Sequence, residues 1–210
     1  MEKVINTAPK KTFSDYLRLW FKWVLDPVGR FLNRLGLTPN MVTILGLAGN
    51  AFGAYYLARG DMLTGGLLVL LMTPIDALDG TMARLRGEST DFGAFVDSVS
   101  DRYSELIIYG GLIYYFLGRG DTIGGLLVFG AAAGSVLVSY VKARAESLGY
   151  EAKVGLLTRV ERYLVLAPSL VFHQAKVGVA IIAVFANITA LQRIWHVRRQ
   201  AHQKMWIEKH

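Results

Sequence analysis

The residues of this sequence best suited to chemistry are four aspartates, which form two pairs within 26 residues. Asp76 and Asp79 are three positions apart, and Asp97 and Asp101 are four apart. Side chains at these spacings stack on successive turns of a helix, so each pair shares one helix face. A short polar hairpin joins the two helices, so all four carboxylates can converge. Oxygen-only ligands suit a hard divalent ion, Mg²⁺ or Mn²⁺, and four acids are enough for two ions that share a carboxylate.

Small residues accompany the acids on or near the same helix faces. They leave room for a ligand or for a close backbone approach; they are Gly80, Ala83, Gly87, Gly93 and Ala94. A structural alternative is that the acids only pair with Arg84 and Arg102, while the glycines serve helix packing. That alternative predicts no dependence on metal.

Composition predicts that the helices carrying these acids lie in a membrane. The chain has 210 residues, of which 53% are hydrophobic and 19% charged, with a net charge of +7 and a mean hydropathy of +0.35. Many apolar residues combined with segregated basic residues are typical of a membrane protein with basic flanks. The sequence contains no cysteine, which excludes a disulfide scaffold, a thiolate nucleophile and Cys-ligated metal sites.

The predicted fold is all-α, with about six transmembrane helices in one domain. Most uncharged runs are shorter than the roughly 20 residues that cross a hydrocarbon core, so they must extend into charged neighbours. The acids therefore fall in the second and third spans, where each unpaired charge costs about 2.5–3.5 kcal/mol or more and needs a cation to offset it. The predicted spans are 39–58, 62–86, 92–118, 121–147, 158–174 and 176–197.

The distribution of Lys and Arg predicts the orientation. They crowd the N-terminal segment, the joint after the fourth span and the tail after Arg193, whereas the joints at 59–61 and 119–121 carry no net charge. By the positive-inside rule both termini, the acid-bearing hairpin and the joint after the fourth span face the cytoplasm. The predicted location is the plasma (inner) membrane. The predicted division is a cytoplasmic segment 1–38, a transmembrane catalytic domain 39–197 and a basic cytoplasmic tail 198–210.

An amphipathic interfacial helix, bent at Pro27, is predicted before the first span. Basic residues occupy one face, and apolar residues recur at helical spacing on the other; the apolar residues are Leu17, Trp20, Phe21, Val24, Val28, Phe31, Leu32 and Leu35. The alternative is a helix that packs on a soluble core.

The acidic segments resemble the signature of the CDP-alcohol phosphotransferase family, D-x2-D-G-x2-A-R-x8-G-x3-D-x3-D. All eight fixed positions and both internal spacings are present; the matching residues are Asp76, Asp79, Gly80, Ala83, Arg84, Gly93, Asp97 and Asp101. The signature covers about an eighth of the chain, and the predicted helix layout is also similar to the family. The resemblance implies transfer of a phosphatidyl-type group from CDP-diacylglycerol, or an ether-lipid analogue, to an alcohol with release of CMP. It also implies a homodimer.

The resemblance also assigns roles to individual residues. It implies that Asp76, Asp79 and Asp97 bind metal and that Asp101, also a candidate ligand, takes the proton of the acceptor hydroxyl. The residues implied to bind the CDP-lipid are Asp76, Asp79, Gly80, Ala83, Arg84, Thr90 and Gly93. Of these, Arg84 would contact the phosphates and Thr90 the nucleotide; the alternative for Thr90 is capping of the loop.

A basic cluster near the ends of the last three spans bears on the acceptor. Positive-inside flanking explains most of it, but Arg162 and Arg193 lie within or at the edge of apolar runs, where Arg is costly unless it faces a polar cavity. Convergent Lys and Arg bind phosphate, which favours a phosphorylated polyol over free serine, choline or ethanolamine. Residues 139–149 and 159–162 resemble the phosphatidylinositol phosphate synthase branch, which implies an acceptor-phosphate site of Lys142, Arg162, Arg193 and Arg159. The runner-up acceptor is glycerol 3-phosphate.

Two other classes of protein remain as alternatives. A divalent-cation transporter would account for acids inside a membrane but not for the A-R-x8-G frame, and it would move ions without consuming a CDP-lipid. A membrane scaffold or nucleic-acid-binding protein is disfavoured, because the basic residues flank spans and lack interleaved stacking aromatics. The expected partners are therefore membrane lipids, a CDP-lipid and a phosphorylated polyol, and no nucleic acid.

Overall fold

Helices make up all the regular structure of the described part of the chain. The computed structural model describes residues 13–88 and 90–207. Their helices are α1 (Phe13–Arg34), α2 (Pro39–Arg59), α3 (Met62–Arg86), α4 (Asp91–Gly118), α5 (Thr122–Ser147), α6 (Arg159–Val171) and α7 (Ala175–Ile207). The predicted all-α class is confirmed.

Local sequence signals fix the ends of the helices that carry the acids. α3 ends at Arg86 and is capped by Gly87, whose φ of +69° is left-handed, a conformation that glycine adopts without a Cβ clash. Three residues later Thr90 caps α4, where its side-chain oxygen accepts a hydrogen bond of 3.0 Å from the Gly93 amide. The hairpin between α3 and α4 is therefore short, as predicted from the polar segment between the acid pairs.

Six helices form a closed ring through their principal contacts. α2 packs on α3 and α4, α4 on α5, α5 on α7, α7 on α6, and α6 on α3, while α1 lies outside against α3. α2 therefore separates α3 from α4 along most of their length. Close approach depends on small residues: a Cβ on Gly111 of α4 would overlap the backbone of Ala54 in α2.

Four of the described helices are long and apolar enough to cross a membrane: α2, α3, α5 and α7. α4 is long enough, but it carries Asp97, Asp101 and Glu105. α6 has only 13 residues, about 20 Å at the rise of an α-helix, which is less than the roughly 30 Å of a hydrocarbon core. Large apolar side chains face outward around the ring; Leu126 and Phe129, for example, are both 65% exposed.

Two boundaries differ from the prediction by more than one residue. α6 stops at Val171, before the expected end at 174, and α7 continues to Ile207 rather than ending at 197. The sequence after Arg193 contains no glycine or proline and several strong helix formers, so nothing local ends the helix there. Most of the predicted tail 198–210 is thus a continuation of α7, and residues 208–210 lie outside the described part.

α1 packs one face against the end of α3 that leads into the hairpin. Leu25 and Leu32 lie against a small core of Val42, Leu78 and Met82. Arg86 of α3 donates hydrogen bonds of 2.6 Å to the Asn33 side chain and to the Leu37 carbonyl. α1 runs through Pro27 as one helix and helps to hold the acid-bearing helix in place.

The other large apolar residues of α1 whose side chains are described point away from the protein. Trp23 is 86% exposed and Phe31 60% exposed. The predicted apolar residues Leu17, Trp20 and Phe21, with residues 1–12, lie outside the part of the chain whose side chains are described. The interfacial role of α1 stays a prediction.

Candidate active site

The acids lie on the inner faces of α3 and α4. Asp79 is 4% exposed and Asp101 8% exposed, and the side chain of Asp76 is also 8% exposed. Asp97 lies one turn before Asp101 and is half-buried. Burial of several carboxylates requires compensating charge or hydrogen bonds, and the structure provides both.

Arg159, the first residue of α6, joins the acids of α3 and α4. Its Nη2 lies 3.2 Å from Asp76 Oδ2 and its Nη1 lies 2.5 Å from Asp101 Oδ2. A single guanidinium thus spans one carboxylate from each predicted pair, while the convergence of all four stays a prediction. Arg159 also lies over the ring of Tyr163 at 5.5 Å, while its Nε is buried without a hydrogen-bond partner.

α2 also contacts the acids, and this contact was not predicted from the sequence. Thr43 Oγ1 donates a hydrogen bond of 2.6 Å to Asp79 Oδ2, and the Gly80 amide donates one of 2.5 Å to Asp79 Oδ1. A Cβ on Gly46 would overlap Asp76 Oδ1, so only glycine leaves that oxygen its present position. The available signal was the spacing of Thr43, Gly46 and the buried Asn50, which share one face of α2.

The residues present fit a divalent cation. Four carboxylates are the donor set that Mg²⁺ and Mn²⁺ prefer. The absence of a side chain at Gly46 leaves room for an oxygen of Asp76. Asp76 and Asp101 already share the positive charge of the Arg159 guanidinium. Among the described residues, however, no three acidic or histidine side chains are arranged around a common point. Arg159 occupies the space between two of the predicted ligands, so ion binding requires that these side chains reorient.

The residues predicted to bind the nucleotide lie between the acids and the hairpin. Arg84 is exposed and donates a hydrogen bond of 2.9 Å to the Thr81 hydroxyl, and a Cβ on Gly80 would be 3.4 Å from its Nη1. Ala83 is half-buried on the same helix. Thr90 and Gly93 form the cap of α4, so the capping alternative for Thr90 is observed, and its contact with the nucleotide stays a prediction.

A buried ion pair lies one turn deeper than Asp101. Arg162 is 1% exposed, and its Nε and Nη2 lie 2.7 and 3.0 Å from the two carboxylate oxygens of Glu105. This is the bidentate geometry that makes Arg–carboxylate pairs strong and directional. Glu105 was not among the predicted site residues, although its spacing of four from Asp101 places it on the same face of α4.

The other predicted acceptor residues differ in their exposure. Arg193 is 5% exposed and donates hydrogen bonds of 2.6 Å to the Val138 carbonyl and 2.9 Å to the Val154 carbonyl. The side chain of Lys142 is 43% exposed, with its Nζ 3.8 Å from Glu146, and that of Arg159 is 32% exposed. Lys142 and Arg159 are therefore partly accessible to solvent, whereas Arg162 and Arg193 are buried.

Contacts from α7 fix the loop between α5 and α6, which leads into Arg159. The Leu157 amide donates a hydrogen bond of 3.1 Å to the Thr189 hydroxyl, and Arg193 holds Val154. Further out, Gln200 bonds to both the amide and the carbonyl of Glu151, at 3.0 and 2.6 Å. The position of α6, and with it the bridge to the acids, thus depends on α7.

The chain belongs to the CDP-alcohol phosphatidyltransferase family, whose sequence model matches residues 36–200. This match confirms the resemblance carried by the acidic signature and identifies the chain as an enzyme of that class. Together with the apolar helices, it makes the protein a multi-pass membrane protein.

Individual relatives match most of the chain. The phosphatidylinositol phosphate synthase of Streptomyces avermitilis is 36% identical over 93% of this chain and 86% of its own length. The archaetidylinositol phosphate synthase of Pyrococcus horikoshii is 32% identical over 85% of this chain and 93% of its own length.

Solved structures of Mycobacterium tuberculosis phosphatidylinositol phosphate synthase share the fold. The one with CDP-DAG bound has a TM-score of 0.77 and 32% identity, over 83% of this chain and 93% of that chain. The one in complex with manganese and citrate has a TM-score of 0.78 and 33% identity, over 82% of this chain and 88% of that chain.

Proposed function

We propose that this protein is a phosphatidylinositol phosphate synthase, which transfers the phosphatidyl group of CDP-diacylglycerol to inositol phosphate and releases CMP. The observation that carries the proposal is the contact of Arg159 with both Asp76 and Asp101. It joins the basic cluster expected to bind a phosphorylated acceptor to the acids expected to hold the ions. Proteins that match most of the chain carry the name phosphatidylinositol phosphate synthase, which supports the same choice.

Mg²⁺ or Mn²⁺ is the cofactor in this proposal, with Asp76, Asp79, Asp97 and Asp101 as the ligands of two ions. The manganese complex of the M. tuberculosis relative supports it. When bound, the ions supply positive charge that offsets the diphosphate of the donor and the charge that develops on CMP as it leaves. Thr43 and the Gly80 amide, which hydrogen-bond Asp79, orient one of these ligands.

The residues of the chain supply positioning and proton transfer. Asp101 is the proposed general base, which accepts the proton of the acceptor hydroxyl as that oxygen attacks phosphorus; a base must lie within hydrogen-bond reach of the proton it takes. Gly80, Ala83 and Gly93 line the nucleotide pocket, with Arg84 and Thr90 at its edge. Because positioning and charge account for the reaction, no covalent nucleophile is needed.

The proposed acceptor-phosphate site divides into accessible and buried residues. Lys142 and Arg159 are partly exposed and would contact the phosphate directly. Arg162 and Arg193 are buried behind them, where Glu105 and backbone carbonyls fix their orientation. Inositol phosphate and glycerol 3-phosphate offer this cluster the same phosphate, so the choice between them rests on the relatives' names.

In the proposed membrane arrangement, all six helices of the ring cross the bilayer and α1 lies in the interface. Asp101 and Glu105 of α4 are buried inside the ring, so they do not meet lipid, and α6 is completed by the loop before it. The exposed Trp23 and Phe31 of α1, beside Arg30 and Arg34, suit a headgroup layer. The active site then faces the cytoplasm at the plasma (inner) membrane. Residues 1–38 and the part of α7 after position 197 lie on the cytoplasmic side, and the protein is a homodimer.

The experiment that tests this function is a CMP-release assay of the purified protein with CDP-diacylglycerol and Mn²⁺. We expect release with inositol 1-phosphate and little or none with glycerol 3-phosphate or free inositol. Faster release with glycerol 3-phosphate would contradict the assigned acceptor. Flux of Mn²⁺ across proteoliposomes with no CMP release under any condition would instead identify a transporter. A parallel reaction with an ether-linked CDP-lipid distinguishes the two donors.

Lys142→Ala is expected to raise the KM for inositol phosphate by about 10- to 100-fold, because a hydrogen bond to a charged group contributes about 1.5–3 kcal/mol. The KM for CDP-diacylglycerol should stay unchanged. Arg144→Ala is the matched control, since it removes the same charge from an exposed position two residues away on α5. Equal effects of Lys142→Ala on both substrates would contradict a role in acceptor binding.

A further inference from the structure

Two arginines on consecutive turns of α6 differ in burial and in how fully their hydrogen-bond donors are paired. Arg162 is 1% exposed, and both edges of its contact with Glu105 are satisfied. Arg159 keeps 32% of its side chain exposed and leaves its buried Nε without a partner. A buried donor without an acceptor is costly, so the contact with Asp76 and Asp101 does not satisfy Arg159 fully.

The position of the Arg159 guanidinium is also the position that a divalent ion would need. It spans Asp76 Oδ2 and Asp101 Oδ2, which are oxygens of two proposed ligands. Mg²⁺ binds its oxygen ligands at about 2.0–2.1 Å, so an ion that bridged these carboxylates would bind the same oxygens that the guanidinium contacts. Two cations in one gap also repel each other. Arg159 and the ion therefore exclude each other.

A displaced Arg159 has a suitable second partner. A phosphate offers several acceptor oxygens, and the planar guanidinium binds it through two parallel hydrogen bonds. The Tyr163 ring, whose centroid lies 5.5 Å from the guanidinium carbon, provides a flat surface along which the partly exposed side chain can turn.

We propose that Arg159 alternates between the acids and the acceptor phosphate. It neutralises Asp76 and Asp101 until the divalent ion takes them, and the released guanidinium then binds the phosphate of the acceptor. Binding of the ion and of the acceptor phosphate are therefore positively coupled, and the acceptor binds best after the ion. This inference rests on the proposed function, because it uses the same metal and acceptor sites.

The test measures Mn²⁺ binding to the purified protein by electron paramagnetic resonance of the free ion, without turnover. Arg159→Gln is expected to bind Mn²⁺ about tenfold more tightly than the unchanged protein, because the competing cation is gone. In the unchanged protein, inorganic phosphate should raise the affinity for Mn²⁺ by about fivefold, a typical size for coupling between sites. Arg159→Gln should lose this effect of phosphate.

Arg102→Gln is the matched control for charge alone. Arg102 follows Asp101 directly and donates to the Ser98 carbonyl, so its removal changes the local charge without opening the gap between Asp76 and Asp101. Its effect on Mn²⁺ affinity should be at most a small fraction of that of Arg159→Gln. Arg159→Lys serves if the Gln variant does not fold; it keeps the charge but cannot span both carboxylates, and it should also bind Mn²⁺ more tightly.

The outcomes separate this inference from the proposed function. Mn²⁺ affinity that is unchanged or weakened in Arg159→Gln, or a phosphate effect that persists in that variant, would overturn the alternation of Arg159. Equal gains in Arg159→Gln and Arg102→Gln would also overturn it, since general charge would then account for the change. A complete lack of Mn²⁺ binding by the unchanged protein would instead contradict the proposed function.

Discussion

Asp97→Asn is expected to lower CMP release at least about 100-fold while the protein stays folded in detergent. Asn is nearly the same size as Asp but lacks the charge that a hard divalent ion requires. Loss of even an outer-shell contact of a metal site costs about 10- to 100-fold in affinity or activity, so loss of a direct ligand should cost at least the upper value. The measurement is CMP release at saturating CDP-diacylglycerol and acceptor, together with thermal unfolding.

Asp91→Asn is the control for this substitution. Asp91 is an exposed residue in the first turn of α4, on the same helix as Asp97 but at the hairpin. The Asp91 variant should retain most of the activity. Near-normal CMP release by Asp97→Asn would refute its role as a metal ligand.

The second large effect concerns the buried pair of Glu105 and Arg162. Removing one partner of such a pair leaves an uncompensated buried charge and costs about 3–5 kcal/mol, whereas replacing both with apolar residues is often neutral or stabilising. We therefore expect Arg162→Met alone to unfold at a markedly lower temperature. The double variant Glu105→Leu and Arg162→Met should recover most of the lost stability.

The double variant also tests what Arg162 does in the reaction. Because it is expected to fold, its KM for inositol phosphate can be measured, and that KM should rise while the KM for CDP-diacylglycerol stays the same. A fully active double variant would restrict Arg162 to a structural role. If Arg162→Met alone were as stable as the unchanged protein, the pair would not be buried as described.

The residues within each helix of the site could be predicted from the sequence. Asp76 and Asp79 on one helix, and Asp97 and Asp101 on the next, follow from the period of the α-helix. The short polar segment between them fixes the hairpin. These features are local, since each depends on residues a few positions apart.

Contacts between distant helices could not be predicted in the same way. Arg162 pairs with Glu105 across 57 positions, and Arg159 reaches Asp76 across 83. Which residues meet depends on the order in which the helices pack around the ring, and spacing along the chain does not determine that order. The position of α2 between α3 and α4, which brings Thr43 and Gly46 to the acids, was missed for the same reason.

The central claim is that the four aspartates act by holding divalent ions. The most direct measurement is CMP release by the purified protein, with CDP-diacylglycerol and inositol phosphate, after such ions are removed with a chelator. We expect release to fall to background and to return when Mn²⁺ or Mg²⁺ is added in excess. Release that continues at the full rate in the chelator would contradict the claim.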